Sequence, residues 1–122
     1  LGGTSVSVQW PTADAPSDLD ANDTSVVLLL SNGSFDMVLT GDAERLVQEE
    51  LIASGAAGEV EVLKVPHHGS TNGLTLEGLE AWSPRDAIIS VGVGNDFGHP
   101  CPETIALLDR KLTLEPQRNA RL

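Results

Sequence analysis

Residues 59–70 read Glu-Val-Glu-Val-Leu-Lys-Val-Pro-His-His-Gly-Ser, an alternating apolar run that ends in two adjacent histidines and a turn-prone stretch. The run predicts a strand over residues 59–65, because a half-buried strand alternates apolar with polar side chains. In open α/β sheets, ligands bind in the crevice outside the carboxyl ends of the strands. The stretch therefore predicts an α/β sheet and places His67 and His68 at a candidate functional site.

The rest of the chain continues this alternation of strands and helices. Asn32-Gly33 is a strong hairpin signal between two apolar runs. We predict further strands over residues 5–10, 25–31, 34–40 and 87–93, and helices over residues 43–54, 76–82 and 102–112. The polar tail, residues 113–122, can add an edge strand. This order predicts an α/β domain with a mixed sheet and flanking helices.

Composition bounds the size and class of the protein. With 122 residues, 40% of them hydrophobic, the chain is one small domain or part of a larger one. A net charge of -11 argues against a broad basic surface for nucleic acid, although metal ions can supply positive charge to hold such a substrate. The single cysteine forms no internal disulfide, and no apolar run approaches the roughly 20 residues of a membrane-spanning helix. Because the chain begins Leu-Gly-Gly, we expect it to be a fragment.

Asp42 lies where a predicted strand turns into a helix. One interpretation is structural, because Asp is a common helix N-cap residue. The other is functional, because a carboxylate at the carboxyl edge of a sheet suits the bridging of metal ions. The sequence leaves both interpretations open.

The chain's three histidines all lie in two loops that follow predicted strands. A lone histidine is usually structural, but the pair His67-His68 directly after a buried strand points to metal ligation or acid–base chemistry. His99 follows the next strand in the run Asn-Asp-Phe-Gly-His-Pro, residues 95–100. That run is equally consistent with a plain Gly/Pro loop.

A carboxylate and two imidazoles from successive loops form a donor set that Zn, Mn or Fe uses. Such a metal lowers the pKa of bound water toward about 7, which points to hydrolysis. A serine nucleophile is a weaker alternative, because Ser70 lies near His68 but no Gly-x-Ser-x-Gly elbow is present. Cys101 is better explained as a small residue at a helix start than as a reactive thiol, since His99 is its sole cationic neighbour in sequence.

Four motifs follow one another across about residues 5–105. They are Asn-Asp-Thr-Ser-Val-Val-Leu (22–28), Leu-Thr-Gly-Asp (39–42), Leu-Lys-Val-Pro-His-His-Gly-Ser (63–70), and Ile-Ile-Ser-Val-Gly (88–92) with Asn95 and Phe-Gly-His-Pro (97–100). In this order they resemble the metallo-β-lactamase-like domain of the ComEC family. ComEC proteins are competence proteins for DNA uptake, in which this domain follows a membrane channel region.

The resemblance implies an αββα sandwich with a one- or two-metal hydrolytic site between its sheets. It implies Zn or Mn as the cofactor and a nuclease or phosphodiesterase activity. The residues that it assigns are Asp42, His67 and His68 as metal ligands, His68 and His99 as catalytic groups, and Ser70, Asn95 and His99 as substrate-lining groups. Phe97 stands where the family pattern leads us to expect Tyr, which removes one hydroxyl.

The chain departs from the superfamily pattern in its metal motif. The His-x-His-x-Asp-His segment of the first half is absent, so residues 1–122 resemble the C-terminal half of the domain. We therefore expect the isolated chain to be a poor hydrolase, with one wall of the site and with metal held weakly or not at all. A half-domain should also expose the apolar sheet face that the missing half covers, which favours a homodimer through that face.

The resemblance also implies partners and a location. It implies a parent protein in the bacterial cytoplasmic membrane, with this domain soluble on the extracytoplasmic side, and DNA as substrate. Given the acidic charge, DNA phosphates would need the metals, Lys64 or basic groups of another domain. Two alternatives stay open: a soluble or secreted phosphodiesterase or esterase of the same fold that is unrelated to DNA uptake, and a non-catalytic module with vestigial histidines.

Overall fold

The computed structural model describes residues 2–113. Residues 114–122, which hold nearly all of the tail where an edge strand was predicted, lie outside the described part. The elements in chain order are β1 (Thr4–Trp10), β2 (Val27–Asn32), β3 (Phe35–Leu39), α1 (Arg45–Ala53), β4 (Val62–Lys64), a 3₁₀ turn (Pro66–Gly69), α2 (Leu76–Trp82), β5 (Asp86–Ile88) and α3 (Pro102–Thr113).

The strands form one mixed sheet in the order β1-β2-β3-β4-β5. The first three strands are antiparallel, and β3, β4 and β5 are parallel. Asn32 pairs with Phe35, so a two-residue turn closes the predicted hairpin, and Gly33 supplies its positive φ of 60°. α1 and α2 connect the parallel strands. The predicted α/β class with a mixed sheet and flanking helices is confirmed.

One face of the sheet packs against the helices and forms the core. Strand residues Val38, Leu63 and Ala87 are buried there with Val47 and Leu51 of α1. α2 adds further buried apolar side chains to the same cluster. Aliphatic side chains therefore make most of the core, as the low aromatic content predicts.

The opposite face, which we call the open face, carries apolar side chains that the helices do not bury. The register of the strands places nine of them on this face: Val6, Val8, Leu28, Leu30, Phe35, Met37, Leu39, Val62 and Ile88. None of the nine is buried, and Val6 and Val8 on β1 are 56% and 61% exposed. The predicted exposure of an apolar sheet face is therefore present in the fold.

Most of the predicted strand and helix boundaries differ from the structure, and the strand predicted over residues 59–65 covers only Val62–Lys64. Two further differences concern α1 and β5. α1 begins at Arg45 with Glu44 as its N-cap residue, so the interpretation of Asp42 as an N-cap is wrong. β5 ends at Ile88 rather than at residue 93. The physical reason is that β4, its neighbour in the described sheet, runs into Pro66, which has no N–H to extend the ladder. Among residues 2–113, no helix has the length and apolar character needed to cross a bilayer.

Candidate functional site

The carboxyl ends of the parallel strands bring the predicted site residues together. Asp42 follows β3, His67 and His68 lie in the 3₁₀ turn after β4, and His99 precedes α3. The ring centroid of His67 lies 6.4 Å from that of His68 and 5.7 Å from that of His99. The three imidazoles and the carboxylate thus form one cluster at this edge of the sheet.

His68 lies between two oxygen acceptors. Its Nδ1 is 2.6 Å from the carbonyl oxygen of Ser90, and its Nε2 is 3.3 Å from Oδ1 of Asp42. A carbonyl only accepts, so Nδ1 carries a proton and donates it. Nε2 then faces a carboxylate oxygen at a distance at which the two atoms can share a cation.

His67 is held in a similar way by a side chain that the sequence analysis did not assign. Its Nδ1 lies 2.9 Å from Oε1 of Glu44, and Asn22 Nδ2 donates to the same oxygen at 3.0 Å. Glu44 lies two residues after Asp42, but its contact with His67 joins residues 23 apart in the chain. Only the packing of the two strand-end turns reveals the pair.

Both histidines of the pair adopt a left-handed backbone conformation that residues other than glycine rarely adopt. His67 has φ 47° and ψ 46°, and His68 has φ 54° and ψ 20°. The left-handed region costs a non-glycine residue about 1–2 kcal/mol. The His67 amide donates to the Gly41 carbonyl at 3.1 Å, which ties this turn to the turn that carries Asp42. Such strain, held in place by surrounding contacts, is typical of functional sites.

Of the remaining predicted site residues, His99 joins the cluster, whereas Asn95 and Ser70 make local contacts in their own loops. His99 enters the cluster and its ring stacks on exposed Phe97. Asn95 accepts from the His99 amide at 3.1 Å and donates to the His99 carbonyl at 2.7 Å, so it shapes this loop. Ser70 is buried, and its hydroxyl accepts from the amide of Asn72. Cys101 Sγ lies 3.5 Å from Nδ1 of His99.

Lys64 belongs to the motif of residues 63–70, and the strand register places it on the open face. Its Nζ donates to the carbonyls of Gly41 and Val65, each at 3.2 Å. Burial lowers the pKa of its ammonium group, and the charge of Asp42 acts in the opposite direction. The lysine therefore braces the turn that carries Asp42, since its ammonium group donates to two backbone carbonyls there.

The described donors form part of a metal site rather than a whole one. Asp42 and His68 are close enough to share an ion, but residues 2–113 contain no group of three or more His, Cys, Asp or Glu that could hold a metal. A catalytic Zn site uses three protein ligands and a structural one uses four. Taken alone, these residues do not fit a complete site.

Comparison with curated proteins gives three relatives. The chain is 35% identical over 97 residues to ComE operon protein 3 of Bacillus subtilis (strain 168), covering 80% of this chain and 12% of that protein. It is 38% identical over 79 residues to Recombination protein 2 of Haemophilus influenzae, covering 65% and 10% respectively. It is 33% identical over 100 residues to Competence protein ComA of Neisseria gonorrhoeae, covering 75% and 14%.

The chain is a relative of these competence-related proteins. The resemblance to the ComEC family is thereby confirmed over most of the chain. No protein-family model matches it. The chain spans 10–14% of the length of these relatives, so the similarity concerns one segment of much longer proteins.

Proposed function

We propose that this chain is one half of a metal-dependent hydrolase domain, of the nuclease or phosphodiesterase type, that acts in competence DNA uptake. The observation that carries the proposal is shared by both histidines of the pair: an oxygen acceptor binds Nδ1, so Nε2 is the nitrogen left to bind a metal, and at His68 it faces the carboxylate of Asp42. Metal-binding histidines almost always donate their other ring N–H to a carboxylate, a backbone carbonyl or water.

The proposal assigns roles to the groups on this edge of the sheet. Asp42 and His68 would supply two ligands of a divalent ion, and His67 a third ligand or a contact with substrate phosphate. Zn or Mn suits such imidazole and carboxylate donors. The remaining ligands would come from the rest of the parent protein. His99, in contact with the ring of His67, would contact the substrate or move a proton.

The open face supports the idea of a half-domain. In α/β and β-sandwich domains, an apolar face of a sheet is buried against another layer of helices or strands. Here one face is covered by helices and the other presents nine unburied apolar side chains. We propose that a second sheet of the parent protein packs on the open face and completes an αββα sandwich of the metallo-β-lactamase type, with the metal site at the edge where the two sheets meet.

The cellular setting is part of the proposal. The relatives' names refer to the ComE operon, recombination and competence, which supports a role in DNA uptake. We propose that the parent protein lies in the bacterial cytoplasmic membrane with this domain on the extracytoplasmic side. With a net charge of -11, the chain needs metal ions or basic groups of other domains to hold DNA phosphates.

The test uses the full-length parent protein and a DNA substrate with added Mn or Zn. Asp42→Ala and His68→Ala should each lower metal-dependent cleavage by about 100-fold or more, because each removes a ligand. Asp18→Ala is the matched control, since Asp18 is an exposed loop carboxylate and should leave cleavage unchanged. Cleavage that is unaffected by Asp42→Ala would remove this residue from the mechanism. Absence of any cleavage by the intact protein would favour a non-catalytic module.

A further inference from the structure

Glu44 lies behind His67, on the side of the ring away from its free nitrogen. Its Oε1 contacts Nδ1 of His67 at 2.9 Å, and the two side chains are 17% and 23% exposed. The contact is therefore mostly shielded from water, where a charge-assisted hydrogen bond is stronger than at the surface. Nothing in the proposed ligand set requires this carboxylate, so its position needs a separate explanation.

Glu44 is fixed through both its backbone and its side chain. Its amide donates to Oδ1 of Asp23 at 2.9 Å, and its carbonyl accepts from the side chain of Gln48 at 3.1 Å. Asn22 donates to the same carboxylate oxygen that contacts His67. The acceptor is thus placed by the loop before β2 and by α1 together, independently of the histidine turn.

The chemistry of the two groups decides where the ring proton lies. An ionised carboxylate only accepts, so the proton of a neutral His67 ring must be on Nδ1. Free imidazole in water favours the other tautomer, with the proton on Nε2. We infer that Glu44 is a positioning residue that holds His67 as the Nδ1–H tautomer and leaves the Nε2 lone pair free for a divalent cation. The role of that lone pair rests on the proposed function; the tautomer itself does not.

His68 supplies an internal control within the same turn. Its Nδ1 proton is directed at a backbone carbonyl, that of Ser90, which no side-chain substitution removes. A change at Glu44 should therefore affect the tautomer of His67 and leave that of His68 as it is. A general loosening of the turn would instead alter both rings.

The first experiment is nitrogen NMR of this chain without metal, about two pH units above the ordinary histidine pKa of about 6.5. Wild-type His67 should be mainly the Nδ1–H tautomer. Glu44→Ala should shift His67 mainly to Nε2–H, whereas Glu44→Gln should retain Nδ1–H, because the amide oxygen can accept at the same place. Glu49→Ala, which removes an exposed carboxylate of α1, should change neither histidine.

Two results would overturn the inference. One is a wild-type His67 that is mainly Nε2–H, which needs no variant to fold. The other is an Nδ1–H tautomer that persists in Glu44→Ala. In the full-length protein, Glu44→Ala should also weaken binding of Mn or Zn by about 10–100-fold, with Glu44→Gln between it and wild type. Unchanged metal binding alongside the expected tautomers would count against His67 as a ligand and favour its contact with substrate phosphate, while the positioning role of Glu44 would stand.

Discussion

At the residue scale, Gly69 joins the two loops that hold the histidines. It has φ +80°, and a Cβ placed there would lie 2.8 Å from Cβ of Pro100. The Cys101 amide also donates to the Gly69 carbonyl at 2.8 Å, so the loops are in direct contact. Gly69→Ala should therefore lower the free energy of unfolding by about 2–5 kcal/mol, the sum of left-handed strain and the steric clash with Pro100. Chemical denaturation of the chain measures this change.

A second glycine provides the control for this substitution. Gly58 is exposed, and a Cβ there would meet nothing within 4 Å. Gly58→Ala should be neutral or slightly stabilising, because alanine restricts the unfolded chain. Equal stability of the two variants would show that Pro100 moves aside at little cost and that the two loops are not rigidly coupled.

Asp23 predicts a pH dependence at the same scale. It is buried, and this burial raises the pKa of its carboxyl above the ordinary 3.8, opposed by its hydrogen bond from the Glu44 amide. The folded state then binds the proton more tightly than the unfolded state, so wild-type stability is lost as pH rises from about 3.8 through the folded pKa. Asp23→Asn keeps an acceptor oxygen and removes this loss. Urea unfolding between acid and neutral pH should show Asp23→Asn gaining relative to wild type across that window, whereas exposed Asp18→Asn should show no such gain.

At the scale of single elements, local patterns could be predicted and contacts between elements could not. α2 runs over residues 76–82 as predicted, because Thr75 caps its first turn by accepting from the Gly78 amide. β5 was predicted too long, since an apolar run does not reveal that its neighbour stops at a proline. The pairing of Glu44 with His67 was missed for the same reason: it depends on how two turns pack, and no periodicity in the sequence encodes that.

The junction of α1 and α2 depends on one buried amide that the apolar pattern does not predict. Gln48 of α1 is fully buried; its Nε2 donates to the carbonyls of Glu44 and Gly73, and its Oε1 accepts from the amide and hydroxyl of Thr75. Gln48→Leu keeps the volume but leaves several buried groups without partners, each worth about 1–3 kcal/mol. We expect a loss of about 3 kcal/mol or more in the free energy of unfolding, measured by denaturation.

The neighbouring position shows what an ordinary substitution in α1 should do. Glu49 is exposed and pairs only with Arg45 across one helical turn in the contacts described. Glu49→Leu should change stability by about 0.5 kcal/mol or less, as for other surface pairs. If Gln48→Leu proved as mild as Glu49→Leu, the buried amide would be contributing specificity of packing rather than stability.

At the scale of the whole molecule, the described residues hold only part of a metal site. The described residues supply two close donors, whereas a catalytic metal ion needs three protein ligands. We expect isothermal titration of the isolated chain with Zn or Mn to give affinities weaker than roughly 1 μM. On the proposed function, the full-length protein should bind more tightly, because it would contribute the missing ligands. Sub-micromolar binding by the isolated chain would mean that these residues form a site without help.

The packing of the sheet is incomplete as well, because helices cover one face and the other is the open face. Apolar patches of this kind mark surfaces that pack against another partner. Within the sheet of residues 2–113, β1 is an edge strand, and its residues Thr4–Trp10 carry no charge that would discourage pairing with another chain. On the proposed function, the open face would be buried in the parent protein, whereas among residues 2–113 of this chain nothing buries its apolar side chains. The isolated chain should therefore self-associate despite its net charge of -11.

Alternation along β1 allows a matched test of this association. Val6 and Val8 point to the open face, whereas Ser5 and Ser7, also exposed, point to the helical side. Light scattering should show a dimer for the wild-type chain and a monomer for the double variant Val6→Lys with Val8→Lys, because lysine ammonium groups cannot be buried at such an interface without a large desolvation cost. Ser5→Lys with Ser7→Lys adds the same charge to the same strand and should leave the dimer intact. If the wild-type chain is a monomer at every concentration tested, the open face does not support dimerisation. If both double variants dissociate equally, the strand edge or the net charge governs association rather than the open face.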